Sequence, residues 1–64
     1  MKLKEYVGNM PWLWDMRITN LFTKEVIHYG KVKERDKLDK KIGEKECVSI
    51  RKNYNEQIVE VVVK

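Results

Sequence analysis

The C-terminal segment, residues 58–64 (IVEVVVK), constrains the fold of this 64-residue chain more than any other stretch. Five of its seven residues are Val or Ile, whose branched side chains favour extended backbone. Val59, Val61 and Val63 fall on one face of a strand, with Glu60 on the other. The nearly continuous apolar run predicts a central strand that is covered on both sides.

Two earlier segments predict a first hairpin. In residues 12–22 (WLWDMRITNLF), Trp14, Met16 and Ile18 alternate with polar residues, which is the period of a half-buried strand. Residues 25–32 (EVIHYGKV) supply a second strand rich in β-branched and aromatic side chains. The two residues between these segments form the predicted turn.

The last third of the chain predicts a second hairpin. Residues 47–52 (CVSIRK) alternate, with Val48 and Ile50 on one face. Residues 53–55 (NYN) are typical of a turn, which leads into the C-terminal strand.

Two helical signals complete the pattern. A short N-terminal helix is predicted by an apolar stripe at i, i+3, i+4 and i+7, formed by Leu3, Tyr6, Val7 and Met10. Residues 34–43 (ERDKLDKKIG) predict one exposed helix, anchored by Leu38 and Ile42 and supported by i, i+4 pairs of opposite charge. An irregular crossover is the alternative for this segment. The predicted fold is a single α+β domain over residues 1–64, with a small four-stranded, mainly antiparallel sheet and one or two short helices.

Size and cysteine content limit where and how such a chain works. A domain this small buries only about 60% of its unfolded surface, and it is too small to form much of a cleft. Cys47 is the only cysteine, so the expected compartment is the reducing cytoplasm. No apolar run reaches the roughly 18 residues of a membrane span, and the MKLKEY start lacks the apolar stretch of a secretion signal.

Reactive groups are scarce. His28 is the only histidine, and a nucleophilic triad built from Ser49, His28 and Asp15 has spacings that fit any hairpin sheet. The three glycines are scattered and form no phosphate-binding loop. We therefore expect a protein that is not an enzyme.

No cofactor is expected, with zinc as the alternative. His28 and Cys47 are acceptable zinc ligands on strands that can be neighbours. However, the chain has no CxxC or HxxxH spacing. A solvent-facing histidine and a small buried cysteine are the plainer interpretation.

Residues 31–45 hold the clearest charge feature. Seven positive and four acidic residues leave +3 of the chain's net +4 in this segment. A solvated surface is the default interpretation, because the interleaved acids oppose phosphate tracking. Contact with RNA or phosphate is the alternative, and it would use Lys33, Arg35, Lys37, Lys40 and Lys41.

Both tryptophans lie in NMPWLWDMR, residues 9–17. Trp14 is in phase with the core-facing positions of the predicted strand. Trp12 follows the only proline at the strand entrance, where a partly exposed ring is expected. Trp and Tyr are enriched at binding hot spots, so Trp12 and Tyr54 are the candidate contact residues, with Trp12 as a cap on a small core as the alternative.

Read end to end, the chain resembles small proteins encoded by phages and mobile elements of Gram-positive bacteria. The resemblance lies in the MKLKEY start, the WDMRITNLF strand, Tyr29-Gly30, the charged segment, the VSI strand and the terminal VEVVV. Some proteins of this kind are anti-CRISPR inhibitors of host nucleases such as Cas9, and they act by binding a surface. The basic charge departs from inhibitors that imitate DNA, which are acidic.

Three functions follow as hypotheses. The first is a non-catalytic inhibitor that docks on a host protein, a Cas nuclease being one target. The second is a small nucleic-acid-binding module that uses the basic segment. The third is a structural or homodimeric phage accessory protein.

Overall fold

A computed structural model describes all 64 residues and shows one four-stranded sheet. The strands are β1 (Asp15–Asn20), β2 (Val26–Lys31), β3 (Cys47–Asn53) and β4 (Ile58–Val63). Their order across the sheet is β2-β1-β4-β3. Both predicted hairpins form, and they join through a parallel pairing of β1 with β4 at the centre. The predicted α+β class is confirmed, with a sheet that is mixed because of this one parallel pair.

Each hairpin turn is built on an asparagine that ends its first strand. The Asn20 side-chain oxygen accepts hydrogen bonds from the backbone N–H groups of Phe22 and Thr23. Asn53 accepts in the same way from Asn55 and Glu56. These side chains replace backbone partners in the turn, which explains why the chain reverses at these two points.

Each hairpin also contains a bulge. The register shift in β2 leaves Ile27 without an opposite partner, and the shift in β3 does the same to Val48. A bulge changes which face the neighbouring side chains occupy. Val48 is therefore 44% exposed while Ile50 packs against the core. The prediction that these two residues share a face is wrong for this reason.

The core lies on one face of the sheet. Its nine buried residues are aliphatic or methionine, and they are Leu3, Val7, Met10, Met16, Ile18, Val32, Val59, Val61 and Val63. On the opposite face of β4, Glu60 and Val62 are only half-buried. The central position of β4 is confirmed, whereas the prediction that it is covered on both sides is wrong. One layer of short helices covers one face only.

The first of these helices, α1 (Lys4–Val7), lies where the apolar stripe predicted it. The crossover from β2 to β3 is broken into a 3₁₀ segment (Val32–Lys37) and a short helix, α2 (Lys40–Gly43). Leu38 is extended between them, and the Asp39 side chain accepts the Lys41 N–H to start a new helix. The single helix predicted over residues 34–43 is wrong, and the irregular crossover is correct. No helix has the length and apolar character of a membrane span.

Candidate partner-binding surface

No aromatic side chain belongs to the buried core. The six aromatic residues are half-buried or exposed: Tyr6, Trp12, Trp14, Phe22, Tyr29 and Tyr54. The short aliphatic and methionine side chains fill the space under the sheet without them. Large apolar surfaces therefore remain available outside the core.

Two of these rings meet where β1 and β4 begin. Trp14 is half-buried against the core, as its phase predicted. Its ring meets that of Tyr54 edge-on, with the centroids 5.2 Å apart and the planes at 88°. Edge-to-face contact is a favoured arrangement of aromatic rings, so Trp14 holds Tyr54 from its buried side while Tyr54 stays 72% exposed.

Trp12 is held by a different contact. The central guanidinium carbon of Arg35, in the 3₁₀ segment, lies 4.5 Å from the centroid of the Trp12 ring. This is a cation–π contact, and it leaves the indole 52% exposed. Trp12 is therefore supported from one side and open to solvent, which is not the position of a core cap.

Sequence reasoning missed Leu13, which lies between the two tryptophans and is 79% exposed. Its phase in the alternating segment could have revealed this, because Leu13 shares the parity of Asp15 and Arg17 and not that of the core-facing Trp14. We call Trp12, Leu13, Trp14, Tyr54 and Arg35 the aromatic end. The structure brings two predicted contact residues, Trp12 and Tyr54, to the same end of the sheet.

Of the five predicted basic residues, Arg35 and Lys40 line the same surface depression. Of them, Arg35 alone joins the aromatic end. The four lysines of the set are exposed and have no ion pair: Lys33, Lys37, Lys40 and Lys41. Glu34 and Asp36 are equally exposed between them. This alternation of sign argues against a continuous path for a phosphate backbone.

Arg35 also borders a shallow groove of about 430 Å³ between α1 and α2, which we call the Arg35 groove. It is lined by Lys4, Arg35, Leu38, Asp39, Lys40, Gly43 and Glu44. Its acidic groups already have partners. Glu44 accepts hydrogen bonds from the ammonium groups of Lys2 and Lys4, each at 2.6 Å, and these lower the pKa of Glu44 from 4.5 to about 2. Asp39 accepts the Lys41 N–H at 2.8 Å.

The proposed zinc ligands are far apart. His28 lies on β2 and Cys47 on β3, at opposite edges of the sheet. Three strand spacings of about 4.8 Å separate them by about 14 Å. Their strands are not the neighbours that the zinc alternative requires, because the parallel β1–β4 pair lies between them. No group of three or more metal-ligating side chains occurs in the chain.

The triad residues are also dispersed. Ser49 and His28 lie on opposite edge strands. Asp15 lies opposite Lys31 on β2, and Ile18, the residue opposite His28, lies three positions further along β1. Because successive side chains of a strand alternate in direction, His28 opposite Ile18 and Asp15 opposite Lys31 lie on different faces of the sheet. Burial raises the pKa of the Cys47 thiol, which opposes formation of the reactive thiolate.

The uncovered face of the sheet is a second surface. Tyr29, Arg17, Glu60 and Arg51 lie in register across all four strands. Arg17 and Glu60 form an ion pair at the centre. A depression of about 400 Å³ lies beside this row. Its charges are largely paired, so it offers a partner less than the aromatic end does.

Comparison with known proteins finds no matching family model, no similar curated protein and no similar solved structure. The function must therefore be argued from the surfaces described above.

Proposed function

We propose that the protein is a non-catalytic binding protein that docks on the surface of a larger protein through the aromatic end. The observation that carries this proposal is the exposure of Trp12, Leu13 and Tyr54 beside a core that does not use them. Trp, Tyr and Arg dominate the energetics of protein interfaces. The aromatic end contains all three.

The contacts within the aromatic end support binding as well. Arg35 fixes Trp12 from one side, and Trp14 fixes Tyr54 from another. Side chains that are ordered before association lose less conformational entropy when they bind. The two exposed rings are therefore prepared for contact in the free protein.

The class of target comes from the resemblance to small phage proteins. It supports a host defence nuclease, with a Cas9-type enzyme as one candidate, and a location in the host cytoplasm. In this proposal the protein blocks nucleic-acid loading or a domain movement by docking. The nucleic-acid alternative through Lys33 and Lys37 has less support, because Glu34 and Asp36 separate these cations.

The test compares immobilised wild type with Trp12→Ala, Leu13→Ser and a control, Phe22→Ala. Phe22 is a fitting control because it is 74% exposed and follows the far end of β1. Each variant is first shown to be folded by circular dichroism, and then used to capture proteins from the lysate of a Gram-positive host.

We expect proteins held by wild type and by Phe22→Ala to be lost on the other two variants by about tenfold or more, as at interface hot spots. Equal capture by all four folded proteins would refute the proposed surface. A captured nuclease is then assayed for cleavage with and without the protein. Unchanged cleavage would refute inhibition.

A further inference from the structure

The Arg35 groove carries positive charge that no ion pair within the protein neutralises. Arg35 and Lys40 line it and have no carboxylate within ion-pair distance. Both acidic side chains of the groove already have hydrogen-bond partners. Glu44 accepts from two lysines, and Asp39 accepts from a backbone N–H at the start of α2. The i, i+4 pairs that would have neutralised Arg35 and Lys40 are absent, because the crossover is not one helix. Arg35 and Lys40 are therefore available to bind an anion.

Arg35 is available for directional recognition. Its central guanidinium carbon lies over the Trp12 ring, no carboxylate lies within ion-pair distance of it, and a guanidinium presents its N–H groups as a planar fork with a donor edge. Such an edge matches the two oxygens of a carboxylate. A lysine in the same place would supply charge without this geometry.

The surroundings favour one carboxylate over a phosphate chain. Leu38 provides an apolar wall, and Gly43 is buried beneath. Asp36 borders a smaller depression that shares Arg35 and Leu38 with the groove. Asp36 and Asp39, which no cation neutralises, oppose a run of successive phosphates along this surface. Arg35 and Lys40 are sufficient to neutralise one side-chain carboxylate.

We propose that the Arg35 groove binds an aspartate or glutamate side chain of the protein partner, while Trp12 and Leu13 contact apolar residues beside it. This inference rests on the proposed function, since it names what the partner brings to the surface. It predicts an acidic segment that also carries apolar residues.

The experiment selects binders to the whole protein from a displayed library of short random peptides. The best peptide is then synthesised and titrated against wild type, Arg35→Gln, Arg35→Lys and Lys40→Gln. Lys41→Gln is the matched control, because Lys41 is an exposed cation of α2 that does not line the groove. Trp12→Ala is titrated in parallel to report on the apolar part of the aromatic end.

We expect the selected peptides to be rich in Asp or Glu next to apolar residues. Binding should fall about tenfold on Arg35→Gln, nearly as much on Arg35→Lys and less on Lys40→Gln, with no change on Lys41→Gln. Replacing the acidic side chain of the peptide with the corresponding amide should weaken binding to wild type about tenfold. The same replacement should not further weaken binding to Arg35→Gln.

Failure to select any Arg35-dependent peptide would overturn this inference. So would selection of peptides that need no acid, or displacement of the peptide by an oligothymidylate that itself requires Arg35. If such binders still lose affinity on Trp12→Ala, the proposed function stands without the inference. Insensitivity of every binder to Trp12→Ala would count against the aromatic end itself.

Discussion

The covered face of the sheet and the aromatic end divide the large apolar residues between them. Under the sheet, nine Leu, Ile, Val and Met residues make up the buried cluster. At the aromatic end, Trp12, Leu13 and Tyr54 stay more than half exposed. Aromatic side chains usually dominate burial in a domain this small. Their absence from this core means that the residues that fill the core are not the exposed ones that we propose for binding.

The largest expected effect is loss of the core. Ile18 is fully buried in the cluster, so Ile18→Ala should lower the free energy of unfolding by about 3 kcal/mol. Because a small domain has only a few kcal/mol to lose, this variant should be largely unfolded in water. Circular dichroism in the absence of urea measures the folded fraction of this variant, and urea denaturation measures the free energy of unfolding of the folded proteins. Phe22→Ala is the exposed control and should stay within about 0.5 kcal/mol of wild type; an equal loss there would erase the comparison.

The next largest effect is a difference between the two tryptophans in what their replacement does to the free energy of unfolding. Trp14 is half-buried against the core, and Trp14→Ala should cost about 2 kcal/mol, less than a fully buried ring. Trp12→Ala removes only the cation–π contact with Arg35, so it should lower the free energy of unfolding by no more than about 1 kcal/mol. The same urea titrations rank the two. A larger loss for Trp12→Ala would show that Trp12 supports the core.

Part of the fold and part of the proposed site could be predicted from the sequence alone. Strand periodicity predicted both hairpins and the faces of Met16 and Ile18, because alternation depends on local backbone geometry. The predicted shared face of Val48 and Ile50 and the single helix over 34–43 were wrong, because bulges and the Asp39 cap depend on single backbone hydrogen bonds. For the site, composition identified Trp12 and Tyr54. The exposure of Leu13 could have been predicted from the same alternation, whereas the contact of Trp12 with Arg35 required the three-dimensional arrangement.

A stabilising change beside the aromatic end sharpens the comparison in the other direction. Gln57 has a positive φ of 55° in the turn before β4, a conformation that costs a non-glycine residue about 1 kcal/mol. Gln57→Gly should therefore raise the free energy of unfolding by about 0.5 kcal/mol after its own entropy cost. Peptide or partner binding should not improve with it. If the affinity rose together with the free energy of unfolding, the measured binding would reflect only the fraction of molecules that is folded.

The smallest expected effect concerns pH. The pKa of Glu44 is about 2 in the folded protein, against an ordinary value of 4.5. A lowered pKa contributes stability above pH 4.5, and this contribution is lost as the pH falls toward 2. Because the ion pairs are exposed, the effect should be small and sensitive to salt.

Urea midpoints across that range should fall further for wild type than for Glu44→Gln, which lacks the carboxylate. Glu34→Gln is the control, since Glu34 has no ion pair, and it should follow wild type. Identical pH profiles for wild type and Glu44→Gln would show that the lysine contacts add no stability.

The most direct test of the account is photocrosslinking inside the host cell from two positions. A benzoylphenylalanine replaces either Leu13, at the aromatic end, or Thr23, in the exposed turn after the far end of β1. If the aromatic end binds a host protein, position 13 should give a discrete adduct with one host protein and position 23 should give none. Adducts of equal yield from both positions, or from position 23 alone, would contradict the account.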